Sequence, residues 1–214
     1  MHEKNLHPQE WDIDPEKKKE LVYSPGETIF KQDAFAPHVL YIIDGLVKIS
    51  LQSASQKDLN LRIAQANDFL GFSAIFGDQT YNFTAISLTQ VTVCMIDKQS
   101  LQNLLLKNPE FALHITAGNY QYEKQLLKVI QNLNYKHMRG KLASAIIYLT
   151  DPRWADTSLF QYLNRQDLAG FAGISTESTI RFLKEFEKDK IIRLSGKEIF
   201  VLSQDKLIAV SNSG

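Results

Sequence analysis

From Leu21 to Ile96 the chain alternates short apolar runs with turn residues: LVY, then Ser24-Pro25-Gly26-Glu27, TIF, VLYII, Asp44-Gly45 and LVKISL. Runs of this length and alternation predict strands, whose side chains point by turns to opposite faces. Further runs at LNLRIA, DFLGF, FTAIS and VTVCMI bring the total to about eight, enough to close a small barrel or jelly roll. The Asp44-Gly45 pair predicts a tight hairpin between VLYII and LVKIS, because positive φ costs glycine little and aspartate tolerates it.

The pattern changes after Asp97. Beyond Pro109, the stretch Phe111 to Tyr135 holds no proline and one glycine, Gly118. Ile115, Leu126, Ile130 and Leu133 recur at helical spacings, and Tyr120, Leu127 and Val129 widen the stripe. A helix of about 25 residues, roughly 37 Å long, is predicted. Its apolar stripe is wider than one contact requires, which favours one face on the barrel and another on a second copy of the chain. A helix packed on its own barrel alone is the simpler alternative.

Near the C-terminus, Asn164 can cap a helix start, with Asp167 three positions on favouring the same end. That helix is expected to stop at Gly173, and Ser175 to cap a second one. Leu168, Ala169 and Ala172 are expected to pack against Ile174, Thr179, Ile180 and Leu183, as in a helix-turn-helix. The exposed start of the second helix then carries Thr176, Glu177, Ser178 and Arg181. Arginine offers paired donors to guanine O6 and N7, and glutamate accepts from cytosine N4, so Glu177 and Arg181 are candidates for reading adjacent base pairs. An ordinary i,i+4 ion pair is the alternative. Downstream, IIRL, the turn Ser195-Gly196-Lys197 and EIFVL predict a hairpin, which makes the domain a winged helix-turn-helix. Arg165, Gln166 and Lys197 are candidates for phosphate contacts or, equally, solvated surface residues.

Composition narrows the classes. The 214 residues carry 24 basic and 24 acidic side chains, so an indiscriminate polyanion binder is not expected. Residues 1–137 hold 13 Lys and Arg against 15 Asp and Glu, whereas 138–214 hold 11 against 9, a sign that suits a DNA-reading tail. No run approaches the roughly 20 apolar residues needed to cross a bilayer, and the start MHEKNLHPQEWDIDPEKKKE is too polar for a secretory signal, so a cytoplasmic protein with no membrane partner is expected. One cysteine, Cys94, excludes an internal disulfide, a Cys-based zinc site and a protein-bound iron–sulfur cluster. In VTVCMI it reads as a buried small apolar residue.

From about Leu21 to Leu207 the chain resembles the cyclic-AMP receptor protein and fumarate–nitrate regulator (CRP/FNR) family of bacterial transcription factors. The resemblance rests on Pro25-Gly26-Glu27-Thr28-Ile29-Phe30, on Leu40 to Ile49 and on Arg165 to Leu202. It implies an α+β fold: an N-terminal jelly-roll (double-stranded β-helix) effector domain over 1–110, a long dimerisation helix over 111–137 and a C-terminal winged helix-turn-helix over 138–214. It also implies a homodimer on a pseudo-palindromic double-stranded DNA site, with RNA polymerase as downstream partner. Nucleotide-binding members carry a Gly-Glu pair and, about ten residues later, Arg-Ser or Arg-Thr, which hold the ribose and the phosphate. Phe72 and Asn82-Phe83 stand there instead, no arginine occurs between Arg62 and Arg139, and Leu126 and Leu127 take the place of the polar pair that meets the adenine. Cyclic AMP is therefore not expected, since a buried phosphate needs a cationic partner. Haem or another apolar effector stays open, with Phe72, Phe76, Tyr81, Phe83, Leu126 and Leu127 as an apolar lining, although the same residues can simply fill the barrel. A ligand-independent regulator is a further alternative.

A metal-dependent jelly-roll enzyme is the distant competitor. It needs two or three histidines at ligand spacing, and those at 2, 7, 38, 114 and 137 are scattered, so no metal site and no catalytic residue is expected.

Overall fold

A computed structural model describes residues 8–52 and 58–212. They form two compact units, one of residues 8–52 and 62–124, the other of 125–212 with the stretch 58–61.

The first unit is the jelly roll. Among the described residues, eight strands precede the first α-helix: β1 (Lys18–Tyr23), β2 (Thr28–Phe30), β3 (His38–Asp44), β4 (Val47–Leu51), β5 (Leu59–Ala64), β6 (Phe69–Leu70), β7 (Thr84–Ser87) and β8 (Val91–Asp97). They make two four-stranded sheets in the orders β1-β8-β3-β6 and β2-β7-β4-β5. Val39, Ile42, Val47, Ile49, Val93 and Ile96 are at most 2% exposed and form the core.

Two expectations are corrected. VLYII and LVKIS do not form a hairpin: β3 and β4 lie in different sheets, and Asp44-Gly45 is the corner between them. Gly45 adopts φ +97°, and a Cβ there would lie 2.3 Å from the Gln90 carbonyl oxygen, so the corner needs both the positive φ and the missing side chain. DFLGF is a strand only at Phe69–Leu70, after which Gly71 turns left-handed at φ +69° and Phe72–Phe76 form a 3-10 turn.

The N-terminal segment contributes more than its polarity suggests. Trp11 is 6% exposed, its ring 4.9 Å from Tyr41, 5.8 Å from Phe69 and 5.2 Å from Phe111. The Lys18 ammonium donates to the carbonyls of Pro8 (2.9 Å) and Trp11 (3.2 Å), fixing the segment across this cluster. Cys94 on β8 is 2% exposed, and burial pushes its thiol up to about 11, as suits a small packing residue.

Helix α1 (Lys98–Lys107) is capped by Asp97, whose side chain accepts from the Ser100 N–H, and helix α2 follows over Pro109–Tyr135. The early part of α2 buries Phe111 and Ile115 in the first unit. Tyr122 then donates to the Asp68 carboxylate, which also holds Arg62 at 2.6 Å, and the Arg62 guanidinium lies 3.9 Å over the Tyr122 ring. By contrast Leu113, Tyr120, Leu126, Leu127 and Ile130 are between 44% and 71% exposed, apolar positions that the described residues leave uncovered.

The second unit contains α3 (Met138–Leu149), α4 (Arg165–Ala172), α5 (Thr176–Lys188), the hairpin β9 (Ile192–Ser195) and β10 (Glu198–Val201), and α6 (Gln204–Asn212). Leu142, Ile146, Leu168, Leu183, Phe186, Ile192 and Leu207 fill its core. Among the described residues of both units, no helix is long and apolar enough to cross a membrane.

Candidate nucleic-acid interface

Local chemistry sets the two helices that could meet a duplex. Asn164 accepts from the Asp167 N–H at 2.8 Å while Asp167 accepts from the Asn164 N–H at 2.9 Å, a reciprocal cap that starts α4. Gly173 ends α4 in the left-handed region at φ +63°, ψ +36°, and Ser175 caps α5 by accepting from the Ser178 N–H at 3.2 Å. Leu168, Ala169, Ala172, Thr179 and Leu183 are buried between the helices, as the spacing predicts.

One member of that set points elsewhere. Ile180 is 41% exposed and faces outward, not into the helix pair. At about 100° per residue, Glu177, Ile180, Arg181 and Lys184 share one face of α5, with Thr176 and Ser178 on its two flanks and Thr179, Phe182, Leu183 and Phe186 opposite. The i, i+3, i+4, i+7 spacing from Glu177 was the available signal for Ile180 and Lys184; the apolar character of isoleucine argued the other way. Arg181 lies 4.0 Å from Glu185, with 61% of its side chain exposed, and 4.6 Å over the Phe182 ring. That surface pair contributes little to stability.

The phosphate candidates have partners of their own. Arg165 donates to the carbonyls of Gly196 (2.9 Å) and Lys197 (3.4 Å), and the Lys197 ammonium donates to the Gln161 carbonyl at 3.1 Å. Arg165 therefore ties the wing turn to the start of α4, and Lys197 ties it to the 3-10 turn Leu159–Gln161 before that helix, while Gln166 is exposed on the first turn. Burial lowers the Arg165 pKa. The turn itself is a two-residue connection, Gly196-Lys197, closed by the pair Ser195 and Glu198.

Residues 140–210 match the Crp-like helix-turn-helix domain, and residues 20–108 match the cyclic nucleotide-binding domain. The chain belongs to the CRP/FNR family of transcriptional regulators. It is thus a DNA-binding regulator and not an enzyme. Similar proteins include the "Probable transcriptional regulator flp" of Lacticaseibacillus casei, 27% identical over 85% of this chain and 82% of that one, and the "Anaerobic regulatory protein" of Bacillus subtilis, 28% identical over 80% and 75%. FixK2 from Bradyrhizobium japonicum shares the fold, with a TM-score of 0.78 over 92% of this chain and 98% of that one at 17% identity.

Within this CRP/FNR chain, each effector candidate has neighbours of its own. Tyr81 is a core residue: 6% exposed, stacked on Phe30 at 3.7 Å, its hydroxyl donating to the His38 carbonyl at 3.1 Å. Its ring lies so close to Gly71 that a Cβ there would be 2.5 Å away. Phe83 leans on Phe30 at 5.5 Å, and Phe72 packs between Phe69 (5.3 Å) and Phe76 (5.8 Å), with Phe76 itself 77% exposed. Asn82 lies at the surface, its amide donating to Asp78 at 3.0 Å and to Ser73 at 3.4 Å. Hydrogen bonds from Ser73 and then Asn82 hold the Asp78 carboxyl below its ordinary range. Leu126 and Leu127 are 44% and 52% exposed on α2. Ring contacts with Phe30 thus hold Tyr81 and Phe83, while an acidic neighbour takes up Asn82. Of the histidines, His38 begins β3, His114 is exposed on α2 and His137 precedes α3; His2 and His7 lie outside the described residues.

Proposed function

We propose that the protein works as a cytoplasmic homodimer that reads a pseudo-palindromic site on double-stranded DNA and acts on transcription through RNA polymerase. The observation that carries this reading is the outward stripe of Glu177, Ile180, Arg181 and Lys184 on a helix whose opposite face is the core of the domain. Arg181 would donate to a guanine and Glu177 accept from a cytosine, with Ile180 against a thymine methyl and Thr176 and Ser178 adjusting the preference. Ser178 does so within limits, because its hydroxyl accepts from Ser175 at 3.2 Å. Gln166 and the donors of Arg165 and Lys197 that face outward would meet phosphates.

Dimerisation through α2 is supported by the exposed stripe of Leu113, Tyr120, Leu127 and Ile130, since a second copy is the partner that two-fold DNA symmetry calls for. Leu127→Glu is expected to shift the protein from dimer to monomer in sedimentation at micromolar concentration and to weaken operator binding with it. A variant that stays dimeric would place the interface elsewhere.

Cyclic AMP is not the effector in this reading. Phe72 offers no acceptor to a ribose, Asn82 carries no charge, and the Asp78 carboxylate beside it would repel a phosphate. An apolar effector suits this aromatic region better than a phosphate does, and haem would fit only through its apolar ring, not through its two carboxylates. Control would then be a population shift between packings of α2 in the dimer. Cyclic AMP at millimolar concentration is expected to leave both the melting temperature and the DNA affinity unchanged. A rise in either would overturn the effector assignment while leaving DNA reading intact.

A further inference from the structure

We propose that Lys136 is a positioning residue for DNA recognition: it joins the end of α2, the start of α3 and the end of α6 into one body, so that each reading head leaves the dimer helix at one fixed angle. The proposal rests on the dimeric, two-half-site reading above.

Lys136 occupies the junction between α2 and α3. Its ammonium donates to Ser144 Oγ on α3 at 2.8 Å and to Ser211 Oγ on α6 at 2.9 Å. The two hydroxyl oxygens are 2.8 Å apart, and Ser144 Oγ donates to the Gly140 carbonyl at 2.8 Å. Because Ser144 has a single proton and gives it to Gly140, Ser211 is the donor between the hydroxyls. Every bond in the cluster therefore has a fixed direction. Close approach of α3 and α6 makes this reach possible: a Cβ on Gly140 would be 3.3 Å from the Val210 carbonyl oxygen. One turn earlier on α2, Leu133 Cδ2 fills the space in front of Gly173, 2.2 Å from where a Cβ would lie, so the same helix end also touches the turn of the helix-turn-helix.

Stability alone does not account for the choice of lysine. Ser211 is 5% exposed, and among the described residues no carboxylate offsets the Lys136 charge; burial lowers its pKa. An apolar side chain of similar length would serve cohesion as well or better. What the ammonium adds is direction, since hydrogen bonds constrain geometry and apolar contact does not. Direction matters where two heads must meet two half-sites at once, because a loose junction lowers the effective concentration of the second head after the first has bound.

Lys136→Met tests this in the full-length protein. The substitution strands no donor, as the Ser211–Ser144–Gly140 chain stays intact. Two duplexes are compared: the two-half-site operator that the wild-type protein selects from random DNA, and the same duplex with one half-site scrambled. Affinity for the operator is expected to fall about tenfold, affinity for the scrambled duplex to stay within about twofold, and the melting temperature not to fall. Ser211→Ala is expected to give part of the same loss, and the double variant no more than Lys136→Met alone. Equal losses on both duplexes, wild-type binding to both, or a melting temperature that falls together with affinity would overturn the proposal. Failure of the wild-type protein to select any two-half-site operator would instead sink the dimeric reading beneath it.

Discussion

Replacing Gly173 by valine is expected to destabilise the DNA-reading unit by about 2–4 kcal/mol and to abolish sequence-specific binding. Two costs add. At φ +63° a β-branched side chain meets its own backbone, a penalty from which glycine is free. A Cβ would also lie 2.2 Å from Leu133 Cδ2, so the leucine must leave its place against the turn. Displacing it loosens the end of α2 as well as the helix pair. Asparagine, which tolerates the left-handed region, is expected to lose less than alanine, and alanine less than valine. Urea denaturation of the three variants checks this order, with the midpoint falling most for valine. Equal midpoints would mean that neither the backbone conformation nor the Leu133 contact matters to the turn.

Arg181→Ala is expected to leave stability almost untouched and to remove about 1–3 kcal/mol of specific binding, roughly a 5- to 150-fold loss. The exposed pair with Glu185 at 4.0 Å is too weakly held to affect folding. Loss of the guanidinium would instead relax the preference at one G·C pair per half-site. The steep salt dependence that phosphate contacts produce should stay nearly unchanged, since Arg181 is assigned to a base and not to the backbone. Lys197→Ala is the useful contrast: it should weaken all sequences alike and flatten the salt slope by about one. If Arg181→Ala behaved like Lys197→Ala, the base-reading role would be withdrawn.

The reading head was legible because its determinants act within a few residues. Asn164 and Asp167 cap each other across three positions, Gly173 and Ser175 are two apart, and the wing turn spans two residues. The eight strands could be read from the same short-range alternation, but their partners could not. Asp44-Gly45 has the chemistry of a hairpin turn and makes a corner, because β3 finds β8 more than 40 residues further along the chain. The apolar character of Ile180 predicts an inward position, but its angular position with Glu177 and Lys184 places it outward. Asn82 draws attention through the resemblance and Tyr81 through its apolar ring, yet these adjacent side chains point to a surface and a core. Lys136, Ser144 and Ser211 span 75 residues, and nothing local marks them as a cluster.

Selection of binding sites from a pool of random duplexes by the full-length protein tests the central claim most directly. Two inverted half-sites with centres about 10–11 base pairs apart, each with an invariant G·C pair that Arg181→Ala no longer enriches, are expected. Enrichment of direct repeats, of single sites, or of no sequence at all would contradict the account.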